Sequence, residues 1–255
     1  MQALAQFSLK DRVAIVTGAS KGIGLAMATA FGKAGAKVVI SSRKKEAVDE
    51  VAAALAKEGI EAAGIACHMG DMQQVEQLVE KTIATFGRLD VVVNNAATNP
   101  IFGPAVEAGL EAFDKIMDVN VKGPFYLCKL AYPHMKAAGS GSVINISSVE
   151  GITPGFGLGL YSVSKSSLIM LTKALAKEWG ADNIRVNAIC PGLIKTKFSE
   201  ALWSNDKIMK QVMMQQPLKN IGLPEDLNGM ALLLASDAGK FITGGVYTLD
   251  GGLTI

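Results

Sequence analysis

The feature that most constrains the fold is an alternation of short β-branched runs with longer alanine-rich stretches of helical spacing. The runs that predict strands are Val13–Thr17, Lys37–Ser41, Ala62–Cys67, Leu89–Asn94, Ser142–Ser147 and Ile184–Cys190. The stretches that predict helices are Ile23–Ala34, Lys44–Glu58, Met72–Phe86, Glu111–Ala138 and Tyr161–Trp179. Strands that are nearly all Val and Ile, separated by helices, indicate a parallel sheet covered on both faces. We therefore predict a doubly wound α/β fold, in which ligands bind at the carboxyl ends of the strands.

Length and composition favour one domain over residues 1–255, because the chain shows no internal repeat and no Pro- or Ser-rich linker. Hydrophobic residues make up 49% and charged residues 19%, which excludes a disordered chain. The net charge is +2 and no charge block occurs, so we expect neither a nucleic-acid nor a membrane-surface partner. The longest apolar runs, such as Met230–Ala235, are far too short to span a bilayer.

The three cysteines are odd in number and far apart, at Cys67, Cys128 and Cys190. That spacing favours neither a disulfide framework nor a cysteine-based metal site, and it fits a reducing compartment. Cys67-His68 has no second pair of ligands at a useful spacing, so we predict no metal. The segment Met1–Lys10 does not have the pattern of a secretory signal, and we therefore expect a cytoplasmic protein.

A glycine cluster, Thr17–Gly24, lies between the first predicted strand and the first predicted helix. Glycine lets the backbone turn tightly and approach a pyrophosphate, whose negative charge is attracted by the helix N-terminus. The spacing G-x-x-x-G-x-G thus predicts a dinucleotide site on a Rossmann-type sheet, the alternative being a tight turn that binds nothing. The predicted contacts in this turn are Gly18, Ser20, Lys21, Gly22, Ile23 and Gly24.

The end of the second predicted strand indicates which dinucleotide is preferred. NAD sites usually carry an acidic residue here, on the ribose hydroxyls. This chain has Ser42 and Arg43, followed by two lysines. Arg43 can bind a 2′-phosphate through two parallel hydrogen bonds, and Lys21 adds a second positive charge. We therefore predict NADPH/NADP+ as the cofactor; the alternative is that this basic run is only the solvated start of a helix.

Three residues form a candidate catalytic group. Tyr161 and Lys165 are four residues apart on a predicted helix, so they share one face. A free tyrosine has a pKa of about 10, and a nearby ammonium favours the phenolate and brings that pKa towards the working range. Ser148 follows a predicted strand at its carboxyl end, where its hydroxyl could hydrogen-bond a substrate carbonyl as negative charge develops.

These motifs, in this order, resemble the short-chain dehydrogenase/reductase family. The similar segments cover nearly the whole chain: Thr17–Gly24, Asn94–Ala96, Asn120, Asn145–Ser148, Tyr161–Lys165, Asn187 and Pro191–Gly192. The resemblance implies an oxidoreductase in which Tyr161 is the general acid for carbonyl reduction. Lys165 would bind the nicotinamide ribose and lower the tyrosine pKa, and Ser148 would orient the carbonyl.

The same resemblance implies further site residues. Asn120 would hold a helix bend and a water that links Lys165 to solvent. On the nicotinamide side the implied contacts are Pro191, Gly192, Ile194 and Thr196. On the adenosine side they are His68, Met69, Asn94, Asn95 and Ala96. The chain departs from the family pattern at Ala97, where glycine is usual, and at His68, where an acidic residue is usual.

Within the family, the chain is similar to the NADPH-dependent carbonyl reductases of the dehydrogenase/reductase member four type. The similarity lies in Cys67–Gly70, Asn95–Gly103 and Pro191–Trp203. It implies reduction of ketones, such as aromatic ketones, α-dicarbonyls and retinoids, to alcohols. It also implies a homotetramer, built through the long helices and the C-terminal strand Val246–Leu249.

Two alternatives stay open. The 3-oxoacyl-carrier-protein reductases resemble this chain too, but two positions that dock their acidic carrier correspond to Gly139 and Asp182, and neither is basic. A dinucleotide-binding regulator without catalysis is a different class. The intact set of Ser148, Tyr161 and Lys165 argues against it.

The segment at about 195–218 is expected, by the resemblance, to be a helical flap over the substrate. Its apolar residues are Phe198, Leu202, Trp203, Ile208, Met209, Met213 and Met214. Such an adaptable lining suits bulky apolar ketones, the alternative being packing on the body or on a neighbouring subunit. The predicted pocket residues are Val149, Phe156, Leu193 and Phe198. Glu150 and Gly151 follow Val149 and are expected to line the site, the alternative for Glu150 being a position in solvent.

Overall fold

The predicted doubly wound sheet is confirmed. A computed structural model describes residues 2–255, with side chains described from Leu4 onwards. Seven strands form a wholly parallel sheet of order β3-β2-β1-β4-β5-β6-β7. They are β1 Val13–Thr17, β2 Lys37–Ser42, β3 Ala62–Ala66, β4 Val91–Asn94, β5 Gly141–Ile146, β6 Ile184–Pro191 and β7 Val246–Leu249. The chain reverses direction across the sheet between β1 and β4, which is where doubly wound folds bind ligands.

Helices connect the strands and cover both faces of the sheet. They are α1 Gln2–Ala5, α2 Gly22–Lys33, α3 Lys45–Lys57, α4 Met72–Phe86, α5 Leu110–Met117, α6 Gly123–Ala137, α7 Gly159–Trp179, α8 Glu200–Trp203, α9 Asp206–Gln215 and α10 Asn228–Ala235. In the part of the chain that the structure describes, no helix has both the length and the apolarity needed to cross a bilayer.

Each face of the sheet has its own apolar core, because the inner strands alternate buried residues between the two faces. On one face, α2, α3 and α10 pack around Met27, Phe31 and Leu234. On the other, α4, α6 and α7 pack around Leu78 and Leu127. Both layers hold the strands, and therefore the residues at their carboxyl ends, in fixed positions.

The predicted helix Glu111–Ala138 is not continuous, which corrects the sequence-based expectation. A π turn over Asp118–Lys122 separates α5 from α6, and Gly123 and Pro124 form the first turn of α6. Proline is tolerated there because the first N–H groups of a helix have no intrahelical acceptor. The π turn contains the buried Asn120, one of the predicted site residues.

Candidate active site

The glycine turn after β1 is shaped by close contact with the end of β4. Gly18 has a φ of +64°, and a Cβ at this position would lie 2.9 Å from the Ala96 Cα. The side chain of Asn95 donates to the Thr17 carbonyl at 2.8 Å. The Thr17 hydroxyl in turn accepts from the backbone N–H groups of Asn95 and Ala96 at 3.0 and 3.1 Å. Only glycine permits this approach of two backbones.

The N-terminus of α2 presents backbone N–H groups at the same edge. Among residues 4–255, no side chain caps this helix at Lys21, and Gly22 has a φ of +60°. A Cβ on Gly24 would lie 2.6 Å from the Asn95 amide nitrogen and 2.7 Å from the Gly18 carbonyl oxygen. This turn is a cradle that side chains would fill, with a positive helix end behind it. It fits the pyrophosphate of a dinucleotide.

At the end of β2 the side chains are basic and exposed. Ser42 ends the strand, and Arg43 and Lys44 follow it on the surface. Lys45 forms an ion pair with Asp49, one turn along α3. Within the described residues 4–255, the Arg43 guanidinium has neither a salt bridge nor a hydrogen bond to another residue. It is therefore available to a phosphate group.

The end of β3 is held by hydrogen bonds within its own loop. The Nδ1 of His68 accepts from the Gly70 N–H at 3.1 Å, and the His68 N–H donates to the Gln74 side chain at 2.9 Å. Met69 is buried beside it. Asp71 caps α4 by accepting from two backbone N–H groups. The His68 ring orientation is thus fixed by Gly70.

Asn94 is the one adenosine-side prediction whose side chain lies elsewhere. It is 2% exposed, and its Nδ2 donates to Asn145 Oδ1 at 2.8 Å and to Cys128 Sγ at 3.3 Å. Asn145 continues the chain of bonds to the Thr172 hydroxyl at 2.8 Å. Asn94 therefore has no free side-chain N–H to offer a bound adenosine, and the prediction that it lines that site stays a prediction. Its side chain joins β4 to β5, because a buried amide needs hydrogen-bond partners.

The predicted catalytic residues meet beyond the carboxyl end of β5. Ser148 follows this strand, and its Oγ accepts from the Glu150 N–H at 3.1 Å. Tyr161 and Lys165 lie in the first two turns of α7, with the Lys165 Nζ 5.5 Å from the centroid of the Tyr161 ring. Lys165 is 2% exposed, and its Nζ donates to the Ile146 carbonyl at 2.7 Å.

Burial sets the proton affinities of this group. Desolvation raises the pKa of the Tyr161 phenol well above its ordinary value, while a hydrogen bond with Ser148 acts in the lowering direction. Lys165 is not among the groups that shift this pKa in the protein on its own, so its lowering of the tyrosine pKa stays a prediction. The same burial lowers the pKa of Lys165 from 10.5 to about 8.

Asn120 lies in the π turn, and its amide connects three segments. Its Oδ1 accepts from the Thr98 N–H at 2.8 Å, and its Nδ2 donates to the Thr98 carbonyl and to the Ser164 hydroxyl, both at 3.0 Å. Ser164 donates to the Tyr161 carbonyl at 2.7 Å. Asn120 thus holds α7 and the loop after β4 together. The sequence analysis missed Thr98 and Ser164, whose only signal was their proximity to Asn95–Ala97 and Tyr161.

Ser147 is a further residue that the sequence analysis did not single out as a site residue. Its hydroxyl donates to the Lys165 carbonyl at 2.8 Å, so it ties the end of β5 to the same turn of α7 that carries the lysine. Its position directly before Ser148 was the available signal.

The chain after β6 forms the remaining wall. Pro191 ends the strand, and a Cβ on Gly192 would lie 2.8 Å from the Asp250 Cα. Ile194 is buried and pairs with Gly222 in an isolated bridge. Thr196 lies within hydrogen-bonding distance of Ser199 (3.0 Å between the hydroxyl oxygens), and its carbonyl accepts from the Trp203 indole at 2.7 Å. The indole thereby fixes α8 to the strand end.

The four predicted pocket residues differ in their surroundings. Phe198 lies beside the catalytic group, since its ring centroid is 6.2 Å from that of Tyr161, and Val149 is buried directly after Ser148. Leu193 is half-buried beside the end of β6. Phe156 lies on the loop before α7 with 85% of its surface exposed. Among residues 4–255 no cluster of His, Cys, Asp and Glu could hold a metal ion.

A parallel sheet of this strand order, with a glycine turn opening its first crossover helix, is typical of dinucleotide-binding α/β proteins. Comparison with known proteins narrows the class. Residues 18–254 match the family described as enoyl-(acyl carrier protein) reductase. The chain is 43% identical over 244 residues to dehydrogenase/reductase SDR family member 4 of Oryctolagus cuniculus, covering 96% of this chain and 94% of the relative. For the Homo sapiens relative of the same name the identity is 40%, with 96% and 88% covered. The chain belongs to the short-chain dehydrogenase/reductase (SDR) family of oxidoreductases.

Solved structures agree with that assignment. A gluconate 5-dehydrogenase from Burkholderia cenocepacia, in complex with NADP and tartrate, is 31% identical with a TM-score of 0.95, covering 99% of this chain and 98% of that one. A short-chain type dehydrogenase/reductase from Mycobacterium marinum is 34% identical with a TM-score of 0.92, covering 98% of both chains. The similarity therefore extends over the whole sheet and both helical layers.

Proposed function

We propose that this protein is an NADPH-dependent reductase that converts ketones to alcohols, with Tyr161 as the general acid. The observation that carries the proposal is the grouping of Ser148, Tyr161 and Lys165 at the carboxyl end of β5, with Phe198 beside the tyrosine ring. This edge also holds the glycine cradle. One substrate carbonyl could thus approach both a proton donor and a bound dinucleotide.

Each residue of the group has a distinct task. Bound NADPH supplies the hydride that reduces the carbonyl carbon. The raised pKa of Tyr161 keeps its phenol protonated at neutral pH, which is the form that a general acid needs for reduction. Ser148 Oγ accepts from the Glu150 N–H, so its own hydrogen can turn from the Tyr161 oxygen to the substrate carbonyl oxygen when substrate binds.

Lys165 supports the proton donor. Its Nζ is held by the Ile146 carbonyl and lies near the Tyr161 ring, where a positive charge stabilises the phenolate left after proton transfer. Its pKa of about 8 lets the amine exchange a proton close to neutral pH. We propose that Asn120, through Ser164 and Thr98, keeps α7 in the position this transfer requires.

We propose NADPH rather than NADH because the end of β2 is basic. Arg43 is exposed and available at the position where a 2′-phosphate-binding group is expected, and the Burkholderia cenocepacia relative was solved with NADP. Replacing Arg43 by Asp should shift the preference in kcat/KM towards NADH. Lys57→Asp, the same charge change at the far end of α3, is the control. An unchanged cofactor ratio in Arg43→Asp would contradict the assignment.

The proposed substrate class is a neutral, apolar ketone, received under the segment 195–218. This segment contains α8 and α9 and several methionines, which adapt to irregular apolar groups. A 3-oxoacyl carrier protein is the competing substrate. At one position expected to dock an acidic carrier, Asp182 is already bonded to the Tyr132 hydroxyl at 2.6 Å and paired with Lys136. The lysine at this position is therefore already paired with Asp182 and is not free to bind an acidic carrier protein.

The proposal is tested by oxidation of NADPH and NADH with a panel of carbonyl compounds. The panel contains an aryl ketone, an α-dicarbonyl, a bulky cyclic ketone and an acetoacetyl thioester. Turnover of the ketones with NADPH, lost by a factor of at least 100 in Tyr161→Phe, is the expected result. Preference for the thioester would favour the carrier-protein reductase, and NADPH binding without any turnover would favour a regulator.

We further propose a cytoplasmic homotetramer. Apolar side chains remain exposed on the long helices, including Phe125 on α6 and Val163 and Met170 on α7. Exposed apolar surface of this kind is typical of subunit interfaces. Light scattering coupled to size-exclusion chromatography should give about four times the 26.7 kDa chain mass, and a mass of one chain would exclude the assembly.

A further inference from the structure

Glu150 makes contacts that the mechanism above does not use. The sequence analysis left open whether it lines the site or faces solvent, and in the structure it is partly buried. Its carboxylate Oε2 accepts from the Gly155 N–H and from the Ser162 hydroxyl, the latter at 3.3 Å. Its own backbone N–H donates to Ser148 Oγ at 3.1 Å. One residue is therefore bonded to the catalytic serine, to the loop before α7 and to the residue that follows Tyr161.

The carboxylate also lies where α7 lacks a cap. Among the described residues, no side chain caps this 21-residue helix at Leu158. Backbone N–H groups at a helix start carry a partial positive charge, which a nearby carboxylate stabilises. Ser162 lies in the first turns of α7, and its bond to Glu150 brings the negative charge to this end of the helix.

The loop that Glu150 bridges has little room to move. A Cβ on Gly151 would lie 2.8 Å from the Lys165 carbonyl carbon and 2.9 Å from the Ser147 hydroxyl. A Cβ on Gly155 would lie 2.7 Å from the Glu150 carboxylate. Because the loop is packed this closely between β5 and α7, a change at Glu150 displaces its neighbours, and Ser148 is one of them.

We propose that Glu150 is a positioning residue that fixes the hydroxyl of Ser148 relative to Tyr161 by closing the loop between β5 and α7. The proposal rests on the proposed ketone reduction, in which these two residues act on the substrate. It assigns to Glu150 two separable properties. The first is its acceptor oxygen, which holds the loop. The second is its negative charge, which acts on the proton donor.

The charge acts on Tyr161 together with the other groups that face it. These are Ser148 after β5, Lys165 on α7 and Cys190 on β6. Glu150 raises the pKa of Tyr161, in the same direction as burial, because its negative carboxylate repels the negative charge of the tyrosine phenolate. Glutamine keeps an acceptor oxygen and removes the charge, whereas alanine removes both.

The experiment compares Glu150→Gln and Glu150→Ala in ketone reduction by NADPH over a range of pH. At neutral pH, Glu150→Gln should stay within about two-fold of the wild type. Glu150→Ala should lose about ten-fold in kcat with a smaller change in KM, since misplacing a catalytic group lowers the rate more than binding. The alkaline limb of the Glu150→Gln profile should lie at lower pH than in the wild type. Glu178→Gln, at the exposed far end of α7, is the matched control and should change nothing.

Hydrogen exchange of residues 151–158 provides a readout that does not depend on activity. Glu150→Ala should lose protection in this segment, and Glu150→Gln should keep it. Wild-type kcat in Glu150→Ala, equal losses in both variants, or an unmoved alkaline limb in Glu150→Gln would each overturn the proposal. If the wild type reduces no ketone, the proposed function fails. The exchange result then decides separately whether Glu150 closes the loop.

Discussion

Replacing Lys165 by Met should change how the stability of the protein depends on pH. The Lys165 amine is 2% exposed, and burial lowers its pKa from 10.5 to about 8. Between these two pH values, the unfolded chain carries a proton that the folded chain has released. Raising the pH through this window therefore stabilises the folded wild type, and Met, which has similar length and no charge, abolishes the effect.

The size of the effect follows from the shift. One pKa unit corresponds to 1.36 kcal/mol, and integrating between pH 7 and pH 10 gives the wild type a gain of about 2 to 3 kcal/mol relative to Lys165→Met. The comparison between the two proteins cancels every other group that titrates in both. Most of the gain should appear above pH 8, and little should appear between pH 6 and pH 7.

Urea denaturation at fixed protein concentration measures the free energy of unfolding at each pH. Lys173→Met, an exposed lysine on the same helix, is the control and should follow the wild type. Equal pH dependence in the wild type and Lys165→Met would refute the reasoning. The reasoning would also be refuted if the free energy of unfolding of the wild type, relative to that of the variant, fell as the pH rises.

Three further predictions concern packing and local structure. Gly24→Ala should destabilise the protein by about 1 to 3 kcal/mol and weaken dinucleotide binding, because its Cβ would overlap backbone atoms of the glycine turn. Gly229→Ala, whose Cβ meets no described atom within 4 Å, is the control: it should leave the cofactor titration unchanged and should not lower the melting temperature, since alanine favours a helix. Leu127→Ala should cost about 2 to 5 kcal/mol in urea denaturation because this leucine is fully buried, and a loss below 1 kcal/mol would contradict the packing argument. Trp203→Phe removes the indole donor that holds the segment 195–218 and should speed its cleavage by trypsin several-fold, whereas an unchanged rate would show that this hydrogen bond does not restrain the segment.

The parts of the fold that could be predicted from sequence are those with a strong local signal. The runs Val13–Thr17 and Met72–Phe86 have the same ends in the structure, because β-branched strands and a capped amphipathic helix are defined by neighbours in sequence. Ser148, Tyr161 and Lys165 could be brought together because parallel strands end at one edge of the sheet. Each of these inferences needed only spacing and topology.

What could not be predicted depends on contacts between distant segments. Asn94 ends β4 beside the glycine turn, which suggested a contact with the dinucleotide. Its hydrogen-bond partners Asn145 and Cys128 lie on β5 and α6, and sequence spacing does not reveal them. The direction of the Tyr161 pKa depends on how completely the folded chain excludes water from the ring. The sequence left open whether Glu150 lines the site or faces solvent, as charged side chains usually do, and only the loop geometry shows the N–H and the hydroxyl from which it accepts.

The π turn at Asp118–Lys122 is equivalent to one surplus residue inserted into an otherwise regular helix. An added residue rotates everything after it by roughly 100° about the helix axis, since an α-helix has about 3.6 residues per turn. Buried positions nevertheless recur every three or four residues through both helices, at Ile116, Asn120, Gly123, Leu127, Ala131 and Met135. The hydrophobic pattern therefore predicts one continuous helix with Asn120 on its buried face, and it gives no sign of the added residue. The added residue thus changes the course of the backbone without interrupting the buried face, and it lies where that face carries the polar side chain of Asn120.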